Sequence, residues 1–434
     1  MSLIINIALI MLVLIVVLLI LGVPISVSIG LSSAVAMLLM LPANVAFTTS
    51  AQRVFAGSNS FSLVAIPFFV LAGNIMNNGG IATRLVNVSQ ALAGKQPGSL
   101  AITNIIANMF FGAISGSAAA AAAAIGAVMG PIERKEGYDS NYSVAANVAS
   151  APTGTLIPPS NTMIVFSTVA GSVSIAALFL AGYVPGILWG CGCIFYARYV
   201  AKKRGYVPDV VLSNTEKLKV VWQALPSLLL IVIIVGGILA GIFTPTEASA
   251  ISVVYSLLLS LFYKSIKMKD LPKIILESAI TTGIITFMIG VSSIMSWSMA
   301  FTEIPDLIAQ TVLGLTSNKY VILLIMNVIL LVVGTFMDAT PAILIFTPIF
   351  LPIVTQLGVH PVHFGIILCM NLAVGIITPP VGTVLFTGCR VGGVTIESVI
   401  KDLVPYFVII TISLLLVTFI PAISLFLPTM AGLI

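Results

Sequence analysis

Long apolar runs separated by short polar interruptions dominate the pattern of hydrophobic and polar positions along the chain. Several runs reach the roughly 20 residues that an α-helix needs to cross the hydrocarbon core of a bilayer. The pattern is not the series of short alternating segments that is typical of a membrane β-barrel. It therefore predicts an all-α polytopic membrane protein. We expect residues 3–21 to form the first spanning helix and not a cleaved signal peptide, since no Lys or Arg precedes them and no small-residue cleavage site follows.

The amino-acid composition supports the same class. The chain has 434 residues, of which 59% are hydrophobic and 7% are charged, and its mean hydropathy is +1.20. Soluble domains carry about 25% charged residues, so the composition excludes a water-soluble fold. The formal net charge of +5 does not indicate a nucleic acid partner, because basic residues facing the cytoplasm account for it.

The distribution of basic residues predicts the orientation of the helices. The strongest basic stretch lies within residues 198–221, which we assign to the cytoplasm as a linker between two halves of the chain. Counting crossings from this linker places the N-terminus on the outer side. The same count brings both flanks of residues 98–131 to one side of the membrane. A re-entrant helical hairpin is therefore predicted there.

An internal repeat becomes visible when the chain is compared with itself at a shift of 221 residues. The coinciding residues fix backbone shape, and they share the motif G-x-x-x-P-P-x-x-T: Pro158 and Pro159 meet Pro379 and Pro380, and Gly154 meets Gly375. The predicted topology gives the two halves, 1–197 and 222–434, inverted orientations. Each half is expected to hold a hairpin and a discontinuous helix, at about 98–131 and 140–168 in the first half and about 320–355 and 362–388 in the second.

The adjacent prolines are predicted to break both of these helices. Each interior proline removes a hydrogen-bond donor and clashes with the preceding turn, at a cost of roughly 3 kcal/mol or more. In hydrocarbon, irregular backbone is tolerated only where it lines a cavity or is buried in protein. The alternative is a packing kink compensated by neighbouring helices. Interrupted segments at matching positions of two inverted halves favour a secondary transporter with its site near the midplane.

The residues near the breaks indicate cation binding. Broken helix ends offer carbonyl groups to a cation and N–H groups to an anion, and a hard monovalent cation prefers oxygen ligands. One predicted site combines Ser115, Ser117 and carbonyls near Gly154. The other combines Asp338, Thr340, Thr378 and carbonyls near Gly375.

Several polar residues allow a structural interpretation beside a functional one. Asp338 lies in an apolar stretch, where ionisable residues are usually functional, but it could also cap the helix that begins at T-P, and the two roles are compatible. Glu247 could cap the next helix or pair across an interface. His360 and His363 are predicted to be a loop pair and not metal ligands. We find no catalytic triad, phosphate-binding loop or acid–base pair, so the chain is not expected to be an enzyme.

At these residues the chain resembles the large membrane subunit of tripartite ATP-independent periplasmic (TRAP) transporters. The matching stretches extend from the first helices to the last: I-P-F-F-V-L-A-G (66–73), G-A-I-S-G-S-A (112–118), G-I-L-W-G (186–190), G-x-F-T-P-T-E-A (241–248), F-M-D-A-T-P (336–341) and T-P-P-V-G (378–382). The combination is specific, although each piece alone is weak.

The resemblance implies sodium-driven import of an organic acid across the bacterial inner membrane, with the N-terminus in the periplasm. It implies an elevator-type fold similar to that of the ion-transporter superfamily, with Na⁺ as the coupling ion and no organic cofactor. The expected partners are a soluble periplasmic binding protein, a separate small four-helix membrane subunit of the Q type, and lipid. The implied sodium ligands are Ser115, Ser117, Gly154, Asp338, Gly375 and Thr378, and we expect the substrate near Ser150, Thr155, Asn161, Thr162, Asn371 and Thr383.

The predicted substrate is sialic acid (N-acetylneuraminate), from overall similarity to that branch. The alternatives are a C4-dicarboxylate permease of the same family and a self-sufficient sodium/anion transporter of the same fold. An intramembrane enzyme would need a second acid–base group or metal ligands at the depth of Asp338, and the sequence offers none. Because the predicted midplane carries no Arg or Lys, helix N-termini, hydroxyl groups and sodium would hold the substrate carboxylate.

Overall fold

The computed structural model describes residues 2–206, 213–303, 307, 310, 314, 316, 318–379 and 382–434. Regular structure in this part of the chain is helical, as the sequence predicts. The helices before the linker are α1 Ser2–Ile20, α2 Ile25–Met40, α3 Ala43–Ser58, α4 Ala65–Asn78, α5 Ile81–Ala93, α6 Ser99–Ser115, α7 Ala118–Lys135, α8 Ser140–Ser150, α9 Thr153–Leu156, α10 Asn161–Ala170 and α11 Ile175–Arg204. Those after it are α12 Asn214–Leu239, α13 Pro245–Phe262, α14 Leu271–Phe301, α15 Lys319–Phe336, α16 Ala339–Gln356, α17 Pro361–Gly375, α18 Thr383–Gly392, α19 Ile396–Phe419 and α20 Ala422–Met430.

The described helices fit a membrane protein that crosses the bilayer several times. Seven of them, α11 to α16 and α19, are long and apolar enough to span a membrane. Large apolar side chains face outward on the surface, such as Leu12 at 61%, Ile20 at 80% and Phe262 at 81% exposure. Lipid tails can cover such side chains, whereas water would penalise them. The predicted all-α polytopic class is confirmed.

The helix bounds repeat at the shift of 221 residues found in the sequence. Adding 221 to the bounds of α7 gives those of α16, and α6 and α10 map onto α15 and α18 within one residue. The hairpins predicted at about 98–131 and 320–355 are therefore two helix–turn–helix units, α6–α7 and α15–α16. The inverted orientation of the two halves stays a prediction.

Both predicted helix breaks are present. Irregular backbone and the single turn α9 separate α8 from α10, and residues 376–382 separate α17 from α18. Pro158, Pro159 and Pro379 lie in these interruptions. Pro380 lies outside the described residues.

Three helices were not predicted. The sequence of α3 is too polar to read as a membrane span, α5 is a short amphipathic helix, and Pro421 splits α20 from α19. Helix α3 packs against α14 and α5 packs against α6. Polar side chains and short length therefore hid helices whose stability comes from tertiary packing.

The core surrounds the two broken helices. Every residue from Tyr142 to Ser150 in α8 and from Val362 to Gly375 in α17 is buried. Helices of this kind are apolar or small on all sides, because every face packs against protein. The first interruption, residues 151–160, is buried as well, so it lies inside the protein and not at its lipid-facing surface.

Candidate functional site: a cavity between two hairpin turns and two helix breaks

A cavity of about 340 Å³ lies where the turns of both hairpins meet both helix breaks. Helices α4 and α14 close its remaining side. Its polar or flexible lining residues are Gly73, Asn74, Ser115, Gly116, Ser117, Thr155, Asn161, Thr162, Thr281, Asp338, Thr340 and Thr383. We call this space the central cavity.

The turn of the first hairpin is built by a glycine and two serines. Gly116 ends α6 with a left-handed φ of +62°, a conformation that favours glycine. Ser117 then caps α7, since its Oγ accepts a hydrogen bond of 3.3 Å from the amide of Ala120. A Cβ atom on Gly116 would lie 3.3 Å from Asn161 Nδ2 and 3.4 Å from the Pro159 carbonyl oxygen. The hairpin turn and the first helix break are therefore in direct contact.

The turn of the second hairpin places a carboxylate in the central cavity. Asp338 caps α16, because its Oδ1 accepts a 2.9 Å hydrogen bond from the amide of Ala339. The predicted capping role is thus confirmed. Within the described part of the chain, Oδ2 accepts no hydrogen bond, and Asp338 is the only charged residue that lines the cavity. The carboxylate can therefore cap the helix and still face a cation.

Local hydrogen bonds shape the first helix break. Ser160 caps α10 through the amide of Met163 at 3.4 Å and donates to the carbonyl of Thr155 at 2.5 Å. Its Oγ also lies 2.9 Å from Oγ1 of Thr162. The loop is thus closed by its own side chains. It presents Thr155, Asn161 and Thr162, three of the residues expected near the substrate, to the central cavity.

At two predicted sodium-ligand positions, Gly154 and Gly375, the backbone of the broken helix crosses the backbone of the hairpin. A Cβ atom on Gly154 would lie 2.1 Å from the Cα of Gly112, and one on Gly375 would lie 2.4 Å from the Cα of Gly334. Distances this short leave no room for a side chain. In each half, the first arm of the hairpin therefore touches the broken helix through glycine. Neither glycine of the broken helices lines the central cavity.

Three further predicted residues do not line the central cavity. The hydroxyl of Thr378 donates to the carbonyl of Val374 at 2.7 Å. Ser150 and Asn371 are fully buried in the core. Ser150 donates to the Ala146 carbonyl at 2.8 Å. The structure therefore does not bring Ser150 and Asn371 to the cavity. Asn371 Nδ2 donates to the Ile367 carbonyl at 2.9 Å, and its Oδ1 is buried without a partner in the described structure.

Sequence reasoning missed cavity residues on α4 and α14. Asn74 and Thr281 both line the cavity, and Asn74 Nδ2 donates to the hydroxyl of Ser278 at 2.8 Å. An asparagine directly after the stretch I-P-F-F-V-L-A-G was a usable signal, because a polar residue inside an apolar run is costly.

A buried polar network behind the first hairpin was also missed. Glu133 is 1% exposed and accepts a 3.3 Å hydrogen bond from Asn104 Nδ2. Asn104 in turn accepts from Asn108, which also donates to Asn147 Oδ1 at 2.9 Å. No cation of the described chain lies within ion-pair distance of Glu133. The network joins α6, α7 and α8 in the core.

Two other sequence interpretations have clear outcomes. Glu247 forms a capping box with Thr244, since its Oε2 accepts from the Thr244 amide at 2.7 Å. The capping alternative is thereby confirmed. The prediction of a loop pair of histidines is wrong for His363, which is buried within α17 with Nδ1 2.6 Å from Ser424 Oγ. His360 caps the same helix.

The central cavity presents oxygen atoms of the kind that bind cations and hydroxyl and amide groups of the kind that bind anions. Carboxylate, hydroxyl and carbonyl oxygens are the ligands that a hard cation prefers. Among the described residues no group of three or more His, Cys, Asp or Glu side chains could hold a metal ion.

Comparisons with known proteins connect this geometry to a family. The model of the family described as "Tripartite ATP-independent periplasmic transporter, DctM component" matches residues 12–423. The chain is 51% identical over 398 residues to YgiK of Salmonella typhimurium, covering 92% of each chain. It is 40% identical to the C4-dicarboxylate TRAP transporter large permease protein DctM of Pseudomonas aeruginosa, covering 92% of this chain and 93% of that protein.

Two further similarities concern the substrate branch and the fold. The chain is 35% identical to the sialic acid TRAP transporter large permease protein SiaM of Vibrio cholerae, covering 90% of this chain and 91% of that protein. It resembles the crystal structure of the Alcanivorax borkumensis YdaH transporter with a TM-score of 0.63 at 15% identity, covering 86% and 87% of the two chains. At that identity the structural likeness shows the fold alone. The relatives from Pseudomonas aeruginosa and Vibrio cholerae are named as permeases. The chain belongs to the DctM family, the large membrane component of tripartite ATP-independent periplasmic transporters.

Proposed function

We propose that this chain imports an organic anion across the bacterial inner membrane, driven by sodium, through elevator-type alternating access. One observation carries the proposal: both hairpin turns and both helix breaks converge on one cavity, whose described lining holds a single carboxylate. Irregular backbone inside a membrane protein needs a cavity or a bound group to satisfy it. A cavity of about 340 Å³ lies in the range of small-molecule sites.

Sodium would bind once in each half. In the first half Ser115 and Ser117 flank the hairpin turn, and both line the central cavity. In the second half Asp338 and Thr340 occupy the corresponding turn. Backbone carbonyls beside the two glycine crossings would complete both sites. The ion supplies positive charge to a cavity whose described lining contains no Lys or Arg.

The substrate would lie between the two sodium sites. Thr155, Asn161, Thr162 and Thr383 offer hydroxyl and amide groups there. The first turn of α10 adds backbone N–H groups, which favour an anion. We keep N-acetylneuraminate as the predicted substrate. A C4-dicarboxylate is the second candidate, because the relative named for that substrate has the higher identity, 40% against 35%.

The chain would act with two partners. Membership in a tripartite family supports both partners. One is a soluble periplasmic binding protein that delivers the substrate, and the other is a small membrane subunit of the Q type. The N-terminus would lie in the periplasm and the basic stretch within 198–221 in the cytoplasm. Lipid would cover the exposed apolar faces of the outer helices.

Uptake into proteoliposomes tests the proposal. Vesicles would hold the chain with its small subunit, and N-acetylneuraminate, succinate and other organic acids would be offered with their own binding proteins. We expect uptake of one acid that needs an inward sodium gradient, the small subunit and the loaded binding protein. Uptake by the chain alone, without sodium, would instead indicate a self-sufficient transporter. Equal uptake from sodium and potassium buffers would refute sodium coupling.

A further inference from the structure

A second polar cavity lies outside the central cavity and carries an arginine. It has a volume of about 470 Å³ and is bounded by α3, α10, α14 and α16. Its polar lining consists of Arg53, Ser60, Thr168, Ser292, Ser293, Ser296 and Trp297. We call it the arginine chamber. It shares no lining residue with the central cavity.

The two cavities are stacked along the same three helices. Helix α14 contributes Thr281 to the central cavity and Ser292 to the arginine chamber, which are about 16 Å apart along the axis at 1.5 Å per residue. Helices α10 and α16 likewise contribute residues to both. Apolar side chains line both cavities between these positions: Ile285 lines the central cavity, and the buried Ile289 and Leu344 line the chamber. We call these three side chains the apolar partition.

The two cavities have opposite charge. Asp338 is the only charged residue in the described lining of the central cavity, and Arg53 is the only one in that of the chamber. The Arg53 guanidinium lies 5.6 Å from the centre of the Trp297 ring. No carboxylate in the described chain lies within ion-pair distance of it. A guanidinium held over an aromatic ring keeps its N–H donors free for a planar carboxylate.

A buried hydroxyl in the chamber has no partner. Ser292 is 2% exposed, and its Oγ makes no hydrogen bond in the described structure. An unpaired buried hydroxyl is costly, so such groups usually have a missing partner. Ser60, Ser293 and Ser296 add further hydroxyls to the same lining. A small anion could accept from these groups and from Arg53 together.

We propose that the arginine chamber is a separate binding site for the carboxylate of the transported anion, occupied before the anion enters the central cavity. This inference rests on the proposed function for the identity of the substrate and the direction of transport. The proposed crossing order places the chamber toward the periplasm. Helix α14 begins at the basic segment that holds Lys264, Lys267, Lys269 and Lys273, which we assign to the cytoplasm, and runs outward from it. The anion would then pass the apolar partition when α10 and α16 move relative to α14.

Site-directed labelling tests occupancy without transport. Ser296→Cys is introduced into a Cys191→Ser background, because Cys191 is the exposed cysteine of the described chain. The purified chain, free of sodium, binding protein and small subunit, reacts with a methanethiosulfonate reagent. We expect potassium succinate or N-acetylneuraminate at millimolar concentration to slow labelling at least fivefold relative to potassium chloride of equal ionic strength. Arg53→Gln should abolish this protection, Arg53→Lys should retain part of it, and Arg198→Gln, an exposed arginine of α11, should leave it intact.

The buried hydroxyl provides an independent comparison. Ser292→Ala should raise the anion concentration needed for protection about tenfold. Ser298→Ala is the matched control, because Ser298 is also buried on α14 with an unpaired Oγ but does not line the chamber. Equal effects of the two variants would overturn the assignment, as would labelling that neither anion slows or protection that survives Arg53→Gln.

Uptake measurements separate this proposal from the proposed function. In proteoliposomes Arg53→Gln should lower the uptake rate about tenfold and leave the half-saturating sodium concentration and the affinity for unloaded binding protein unchanged. Weaker docking of unloaded binding protein would instead make Arg53 a protein contact and refute the chamber. Normal uptake by Arg53→Gln would also refute it while leaving sodium-coupled transport intact. If the unmodified chain showed protection but no sodium-driven uptake, the proposed function would fail and the binding site would stand.

Discussion

Replacement of Asp338 by Asn separates the two roles of this residue. Asn caps a helix about as well as Asp, and the lost charge at the N-terminus of α16 costs only about 0.3–1 kcal/mol. Opposite unit charges 4 Å apart attract by about 4 kcal/mol at an effective dielectric constant of 20. Asn has one side-chain oxygen, so the cap and the ion compete for it, and we expect a loss of at least about 2–3 kcal/mol, which is a 30- to 140-fold weaker sodium affinity.

Thermal unfolding and uptake measure this loss independently. Ligand binding raises stability by about 2.7 kcal/mol at a hundred times its dissociation constant, so sodium chloride should raise the melting temperature of the unmodified chain above that in choline chloride. Asp338→Asn should need far more sodium for the same rise and for half-maximal uptake. Asp139→Asn is the control. Asp139 caps α8 by accepting a 3.0 Å hydrogen bond from the amide of Tyr142, and it does not line the central cavity. An Asp338→Asn protein with a sodium response within twofold of the unmodified chain would refute the ligand assignment.

Three further substitutions test the site and its support. Ser117→Ala should weaken the sodium response of uptake and lower the stability of the helix cap by about 1 kcal/mol. Ser213 is an exposed cap of α12, so the control Ser213→Ala should lower stability alone. Uptake with an unshifted sodium response would exclude Ser117 as a ligand. Gly154→Ala should destabilise the protein by about 3 kcal/mol or more and abolish uptake through overpacking. In the control Gly236→Ala, the added Cβ meets no atom within 4 Å and should leave the melting temperature unchanged or higher. A stable, active Gly154→Ala protein would contradict the backbone crossing. Glu133→Gln keeps an oxygen for the network and removes the carboxyl group that lacks a cation partner, so we expect an unchanged or higher melting temperature. A fall of more than about 2 kcal/mol in the free energy of unfolding would show that the charge stabilises the fold.

The sequence predicts the spans and the helix breaks because each has a local cause. Apolar length marks spans such as α12, and the repeated prolines mark the breaks. The turn residues Ser117 and Asp338 were identified because polar side chains stand out in apolar surroundings. The residues that cause each of these features lie within a few positions of one another, so one sequence is enough to predict the feature.

The parts that the sequence does not predict depend on distant partners. Gly154 is one of 35 glycines, and nothing near it reveals that it meets a glycine of the hairpin. Ser150 and Asn371 look the same in sequence whether they face the cavity or the core, because their helices are buried on every side. His363 is bonded to Ser424 across 61 positions, so its place beside a loop was misleading.

The caps of the two hairpins perform one structural task with different charge. Ser117 caps α7 and Asp338 caps α16 at positions that are 221 residues apart. Serine and aspartate cap helices about equally well, so the fold does not depend on which residue stands at either position. Moving one elementary charge through the membrane field is worth about 2.3 kcal/mol per 100 mV. If the hairpins cross the membrane field as proposed, one residue at a cap would change the electric current of each transport cycle, and with it the response to membrane voltage, while the architecture stays the same.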